Sequence, residues 1–316
     1  MQRAFRTIAA FALAASSLAA VPARPASLDP RIGAIMHQPR YGKATWSLLA
    51  VDLGTGKPVA ELHQNRLLYT GSVRKLFSVS TALETLGASH RFVTPVYRRG
   101  RVKSGVLDGD LILVGSGDLT FGGRLTPSGE VQYTAFDHND ANSLGTAILT
   151  PQNPLLGLDT LARQVRASGI TRVRGDVIVD DRLFQPYRVP NGNLLVTPVL
   201  VNENMIDVSL TPTVRGRRAT LAWRPRTRAF RVNSSVITVK RGLPADVTLS
   251  DGGHARCSWP ARCVGSVSGT LPIGYEAPLS GIGTFVQTFR IEQPASFARI
   301  GFVQALERAG VRVDAP

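Results

Sequence analysis

The chain has 316 residues, 43% of them hydrophobic, and a formal net charge of +15 built from 32 Arg and 5 Lys against 22 acidic side chains. That size supports one large or two modest domains with a real core. A surface this cationic suits nucleic acid, an anionic membrane or an anionic wall polymer, and the export signal described next excludes nucleic acid.

Met1-Gln2-Arg3-Ala4-Phe5-Arg6 leads into an uncharged stretch rich in Ala, Leu and Phe from Thr7 to Ala20, followed by Val21-Pro22-Ala23. This is the pattern of a secretory signal peptide over residues 1–26. Its apolar part falls short of the roughly 20 residues that span a bilayer, and no later window comes close, so no permanent membrane helix is expected. Export leaves the periplasm as the expected location. The arginines are scattered, apart from Tyr97-Arg98-Arg99-Gly100-Arg101 and Val214-Arg215-Gly216-Arg217-Arg218, and read equally well as solvated charge.

Ser47 to Leu53 is an apolar run ending in Gly54-Thr55-Gly56-Lys57, and Val59-Ala60-Glu61-Leu62 returns as its hairpin partner. From Ser72 to Leu86 the positions Leu76, Val79, Leu83 and Leu86 share a helical face, with Gly87 as the stop. Short β-rich segments follow at 92–97, 110–114, 176–180, 206–210 and 235–240, interrupted by a helix from Leu158 to Ala167. A second helix signal begins at Pro294-Ala295-Ser296-Phe297 and runs through Ile300, Phe302, Val303 and Leu306 to Gly310. No internal repeat or low-complexity segment is present.

Cys257 and Cys263 enclose five residues, including Pro260. In an oxidising compartment this spacing suits a local disulfide, worth about 2 kcal/mol for so small a loop. The alternative, a metal site, needs more than two thiols, and the histidine nearby is His254. Asp137-His138-Asn139-Asp140 invites a metal reading too, but a stretch this polar reads as a solvated loop. Asp180-Asp181 reads as a turn rather than a carboxylate pair, and Gly115-Ser116-Gly117 lacks the helix of a phosphate loop. No cofactor is expected.

Covalent chemistry points to Ser72-Val73-Arg74-Lys75. A serine at a helix start sits near free backbone N–H groups and the positive end of the helix dipole. A lysine three residues on lies one turn away on the same face, and in its neutral form can take the serine proton. Of the five lysines, only Lys75 has a serine at this spacing.

At these residues the sequence resembles the low-molecular-mass class C penicillin-binding proteins. The landmarks, in order, are Val51-Asp52-Leu53-Gly54-Thr55-Gly56, Thr70-Gly71-Ser72-Val73-Arg74-Lys75-Leu76, Gly109-Asp110-Leu111 through Gly117-Asp118, Val173-Arg174-Gly175-Asp176-Val177, Val201-Asn202-Glu203-Asn204 and Pro294-Ala295-Ser296-Phe297-Ala298. The resemblance implies an α+β chain: part of a penicillin-binding, transpeptidase-like (β-lactamase-like) domain carrying a large, mostly β insert. It divides the chain into residues 27–90 as the N-terminal part of that domain, 91–275 as the insert, and 276–316 as an incomplete return. It implies a serine-type D-alanyl-D-alanine carboxypeptidase and endopeptidase, with Ser72 as the acylated nucleophile and Lys75 as its base. Peptidoglycan stem peptides ending in D-Ala-D-Ala would be the substrate, β-lactams would be covalent inhibitors, and peripheral contact with membrane or wall polymer would follow from the charge.

Thr70-Gly71 stands where the family usually has Pro-Ala, and Gly117-Asp118-Leu119 where it has Gly-Asp-Pro. The 316 residues hold no Ser-x-Asn, and Lys103-Ser104-Gly105, which mimics the family's Lys-Thr-Gly, comes too early and reads as a hairpin turn. These departures lead to two expectations: a chain cut short before its active site is complete, and, as the rival function, a catalytically inactive exported wall-binding relative.

Overall fold

The computed structural model describes residues 28–189, 194–258 and 262–315. The expected signal peptide lies outside the described residues. No helix among the described residues is long and apolar enough to cross a membrane. The chain forms two compact units, with the division between His90 and Arg91.

In the first unit, α1 (Pro30–Met36) starts with Pro30 at its first turn and Asp29 as cap, its carboxylate accepting from the Arg31 N–H at 2.8 Å. Strands β1 (Leu48–Val51) and β2 (Pro58–Leu62) pair antiparallel, Leu48 opposite Leu62. The Asp52 carboxylate accepts from the Thr55 hydroxyl and N–H at 2.8 and 2.7 Å, closing the turn and lowering its own pKa. Helix α2 (Lys75–Leu86) ends where Gly87, at φ +82°, donates back to the Leu83 carbonyl.

The second unit opens with the hairpin β3 (Val96–Lys103) and β4 (Val106–Val114), followed by α3 (Ala141–Leu144), α4 (Leu156–Ala167), β5 (Arg172–Val173) and β6 (Val177–Asp180). Next come β7 (Tyr187–Arg188), β8 (Leu195–Val196), β9 (Met205–Thr211), β10 (Thr220–Arg224), β11 (Phe230–Ser234) and β12 (Ile237–Val239). The chain continues through β13 (Asp246–Leu249), β14 (Arg256–Ser258), β15 (Arg262–Pro272), β16 (Phe285–Arg290), α5 (Pro294–Arg308) and β17 (Arg312–Val313). The α+β class expected from the sequence is what the chain adopts.

One mixed sheet runs β17-β5-β4-β3, with β6 also pairing with β4. Every second position along β4 turns inward where a side chain is present, which buries Leu107, Leu111 and Leu113. These pack in one core with Leu158 and Ala162 of α4 and Phe297, Phe302 and Leu306 of α5. β16 and α5 belong to the second unit and supply part of its core. Strand β3 begins later than the expected 92–97, because the arginine cluster is itself strand. It lies at the sheet edge, where exposed charge discourages further pairing and hides the strand's period in the sequence.

A second sheet runs β10-β9-β16. In the third, β15 is central: its first half pairs with β11 and β14, its second with β12 and β13. The fully buried Phe289 of β16 packs at a tilt against Phe230 with ring centroids 5.8 Å apart, and lies so close to Gly265 of β15 that a Cβ there would fall 2.6 Å from its ring. Cys257 and Cys263, opposite each other on β14 and β15, are joined by a disulfide with Cα atoms 4.0 Å apart.

A charged cluster is buried where these layers meet. Arg124, from the loop after β4, contacts Asp137 at 2.8 Å and Glu203 more closely still. His138 places Nδ1 2.7 Å from Asp207 on β9 and Nε2 3.4 Å from Glu203, and Arg224 on β10 donates to the other Asp207 oxygen at 2.7 Å. The solvated-loop reading is thus corrected for Asp137 and His138, since His138 is fully buried and Asp137 is buried against Thr150, while Asn139 stays exposed. Burial alone would push the His138 pKa down, but the charge of Asp207 and hydrogen bonds to Asp207 and Glu203 raise it to about 10. As an imidazolium it donates from both nitrogens, so the Arg124 guanidinium 3.3 Å from Nε2 is a like-charge neighbour held by the shared Glu203.

Two outcomes follow for stability. A histidine with a raised folded pKa contributes fully below its unfolded value of 6.5, and that contribution is lost as pH rises through about 10. Unfolding midpoints of the second unit should therefore fall across that window, whereas His138→Gln should be less stable by about 3–5 kcal/mol at low pH and lack the fall. On the hairpin, Gly100 and Gly109 face each other, and a Cβ on Gly109 would meet the Arg99 carbonyl oxygen at 1.8 Å. Denaturant titration of Gly109→Ala should show a loss of about 3 kcal/mol.

Candidate active site

Ser72 lies in a 3-10 turn, Gly71–Arg74, that runs directly into α2, so the serine sits one turn ahead of the regular helix rather than at its first residue. Gly71, at φ +53°, gives the chain the left-handed step that starts this turn, and the Val73 N–H donates to the Thr70 carbonyl. Three residues later Lys75 returns to the same face, with Nζ 3.2 Å from the Ser72 Oγ. That is hydrogen-bond distance between a hydroxyl and an amine.

Both side chains are exposed. So is the face of α2 that carries them: Leu76 is 68% exposed, Phe77 73% and Val79 57%, and no residue of the helix is buried. The periodicity correctly marks a helix, but among the described residues nothing covers its apolar stripe.

The remaining candidates fall elsewhere. Ser104 and Gly105 form the β3–β4 turn, both with positive φ, so Lys103-Ser104-Gly105 is a hairpin turn. Asp180 ends β6 and is clasped by Arg182 at 2.6 Å, which holds its carboxyl down at about 2. The Gly115 and Gly117 N–H groups donate to Asp180 and Pro198 carbonyls, so they cannot cradle a phosphate. His254 bonds Glu292 at 2.7 Å and Arg290 at 2.6 Å. No group of three or more His, Cys, Asp or Glu suited to a metal occurs among the described residues.

Sequence reasoning missed the ionic cluster of the second unit. Its members lie far apart in the chain, from Arg124 to Arg224, and carry no periodic signal. One clue is local: Val201-Asn202-Glu203-Asn204 stands out in the sequence, and its last three residues occupy the left-handed region at φ +52°, +53° and +58°.

Comparison with known proteins agrees with this architecture. The D-Ala-D-Ala carboxypeptidase 3 (S13) family matches residues 28–316. A D-alanyl-D-alanine carboxypeptidase of Actinomadura sp. (strain R39) is 27% identical over 92% of this chain, which spans 48% of that protein. Penicillin binding protein 4 from Haemophilus influenzae superposes with a TM-score of 0.55 at 17% identity, over 85% of this chain and 52% of its own. A second structure of that protein, complexed with a novel β-lactam, gives a TM-score of 0.50 at 18% identity. The chain thus spans about half the length of the curated relative it matches. With a family match that runs from the first described residue through both units, the chain belongs to the D-Ala-D-Ala carboxypeptidase 3 (S13) family of peptidases.

Proposed function

We propose that this chain carries the acylating half of a serine-type D-alanyl-D-alanine carboxypeptidase that acts on peptidoglycan stem peptides in the periplasm. The observation behind this reading is the 3.2 Å approach of the Lys75 Nζ to the Ser72 Oγ at the head of α2. The family match and the Actinomadura carboxypeptidase support the substrate class, and the β-lactam complex of the Haemophilus protein supports β-lactams as ligands.

In this mechanism the neutral Lys75 amine takes the Ser72 hydroxyl proton while Oγ bonds to the penultimate D-alanine carbonyl carbon. The C–N bond to the terminal D-alanine breaks, and its nitrogen leaves with the proton returned by Lys75. Water then adds to the ester, regenerating the Ser72 hydroxyl and releasing the shortened peptide. When the leaving amine belongs to a neighbouring stem, the same steps cut a cross-link, which is the endopeptidase reaction.

A second reading, an exported wall-binding relative without catalysis, draws on the absence of Ser-x-Asn from the 316 residues and on the exposed stripe of α2. Incubation with a fluorescent penicillin, followed by peptide mass spectrometry, separates the two. The carboxypeptidase reading predicts one stable adduct on Ser72, absent in Ser72→Ala and formed at least about 100-fold more slowly in Lys75→Ala. A protein that binds sacculi but takes no label would support the wall-binding reading instead.

A further inference from the structure

The second unit contains a cavity of about 350 Å³ that the acylation chemistry does not use. This is within the range of roughly 300–1,000 Å³ typical of small-molecule sites. Three asparagines, Asn139, Asn142 and Asn204, line it, with Leu195 and Met205 as an apolar wall and Arg290 as its cation.

The polar lining is held rigid from behind. The Asn139 amide donates to Glu203 of the ionic cluster at 2.8 Å. Asn142 bonds both backbone groups of Thr288 on the edge strand β16, at 2.8 and 2.9 Å. Asn204 spends both amide hydrogens on the Leu195 carbonyl and the Thr197 hydroxyl, so it offers the cavity an acceptor oxygen. It also ends the left-handed run of Asn202, Glu203 and Asn204, where Glu203 in particular is strained. Strain of this kind persists where its surroundings over-determine it, and it concentrates at binding sites. The Arg290 guanidinium is oriented by His254, which is in turn tethered to Glu292.

Fixed neutral amides suit a ligand rich in hydroxyl and amide groups, the Leu195–Met205 wall suits a methyl group or sugar face, and an oriented guanidinium suits a carboxylate. We propose that this cavity is a second binding site, for an N-acylated amino sugar bearing a free carboxylate, as found in a wall glycan strand from which the stem peptide has been removed. The choice of a wall glycan rests on the wall function proposed above; the preference for an acidic amino sugar rests on the cavity alone. The site lies wholly within the second unit, whereas Ser72 and Lys75 lie in the first.

The test is an NMR titration of the full chain with N-acetylmuramic acid, with N-acetylglucosamine and an L-Ala-D-Glu-containing stem tripeptide as controls. N-acetylmuramic acid should give saturable shifts of the Asn139, Asn142 and Asn204 side-chain amides, and N-acetylglucosamine should bind more weakly. Arg290→Gln should lower affinity for the acidic sugar by at least about tenfold, to that of the neutral one. Ser143→Trp, which fills the cavity from an exposed position, should abolish the shifts while circular dichroism confirms the fold. No saturable shift in the wild type, shifts unchanged in both variants, or tighter binding of the tripeptide would each overturn the proposal. Because the readout involves no acylation, a failure to label Ser72 with penicillin would leave a positive result here standing.

Discussion

Three cations and three carboxylates share a buried space in the second unit, and the architecture around them depends on their staying balanced. Arg124, His138 and Arg224 face Asp137, Glu203 and Asp207 across the junction of the loop after β4, the turn before α3, the left-handed turn before β9, and strands β9 and β10. Such a cluster earns its place only when every charge is met, because an ion left alone in the interior costs several kcal/mol. Neutral imidazole would leave three carboxylates against two guanidinium groups, and that imbalance is the physical reason the His138 proton is held so firmly. Asp137 fits the same account: burial acts to raise its pKa, while the Thr150 hydroxyl, the charges of His138 and Arg124, and the His138 backbone N–H bring it below the ordinary value.

The cluster also sets backbone geometry. Glu203 reaches both Arg124 and Asn139 from a left-handed conformation that a glutamate seldom adopts, so the ion pairs and the strained turn hold each other in place. From that turn β9 enters the middle of its sheet, with β10 on one side and β16 on the other, and Phe289 of β16 locks this sheet over Gly265 of β15. Helix α5 follows β16 directly and closes the core against α4 and β4. The end of the described chain is thereby part of the second unit.

Elements with local signatures were legible in the sequence. The β1–β2 hairpin, with Gly56 at its turn, and the helices α2, α4 and α5, with their apolar periodicity, stand within two residues of their expected limits, apart from the 3-10 start at Ser72. The Ser72–Lys75 pair was legible for the same reason, since helical geometry alone brings residues three apart to one face. Strand β3 was displaced because an edge strand studded with arginine lacks an alternating pattern, and β15 was unread because it is punctuated by Gly265 and Gly269. The ionic cluster and the asparagine-lined cavity were invisible, because both are assembled from turns that tertiary pairing alone brings together.

All of this depends on a charged imidazole in the interior, and its protonation can be observed directly. The measurement is a 1H–15N NMR titration of the His138 ring in the full chain, with both ring nitrogens followed from pH 6 to the alkaline limit of folding. With the cluster's charges balanced, the ring should show an imidazolium signature that persists well past neutrality and gives way only near pH 10. A His138 ring that titrates near the ordinary 6.5 would contradict it, and with it the charge balance on which the second unit is built.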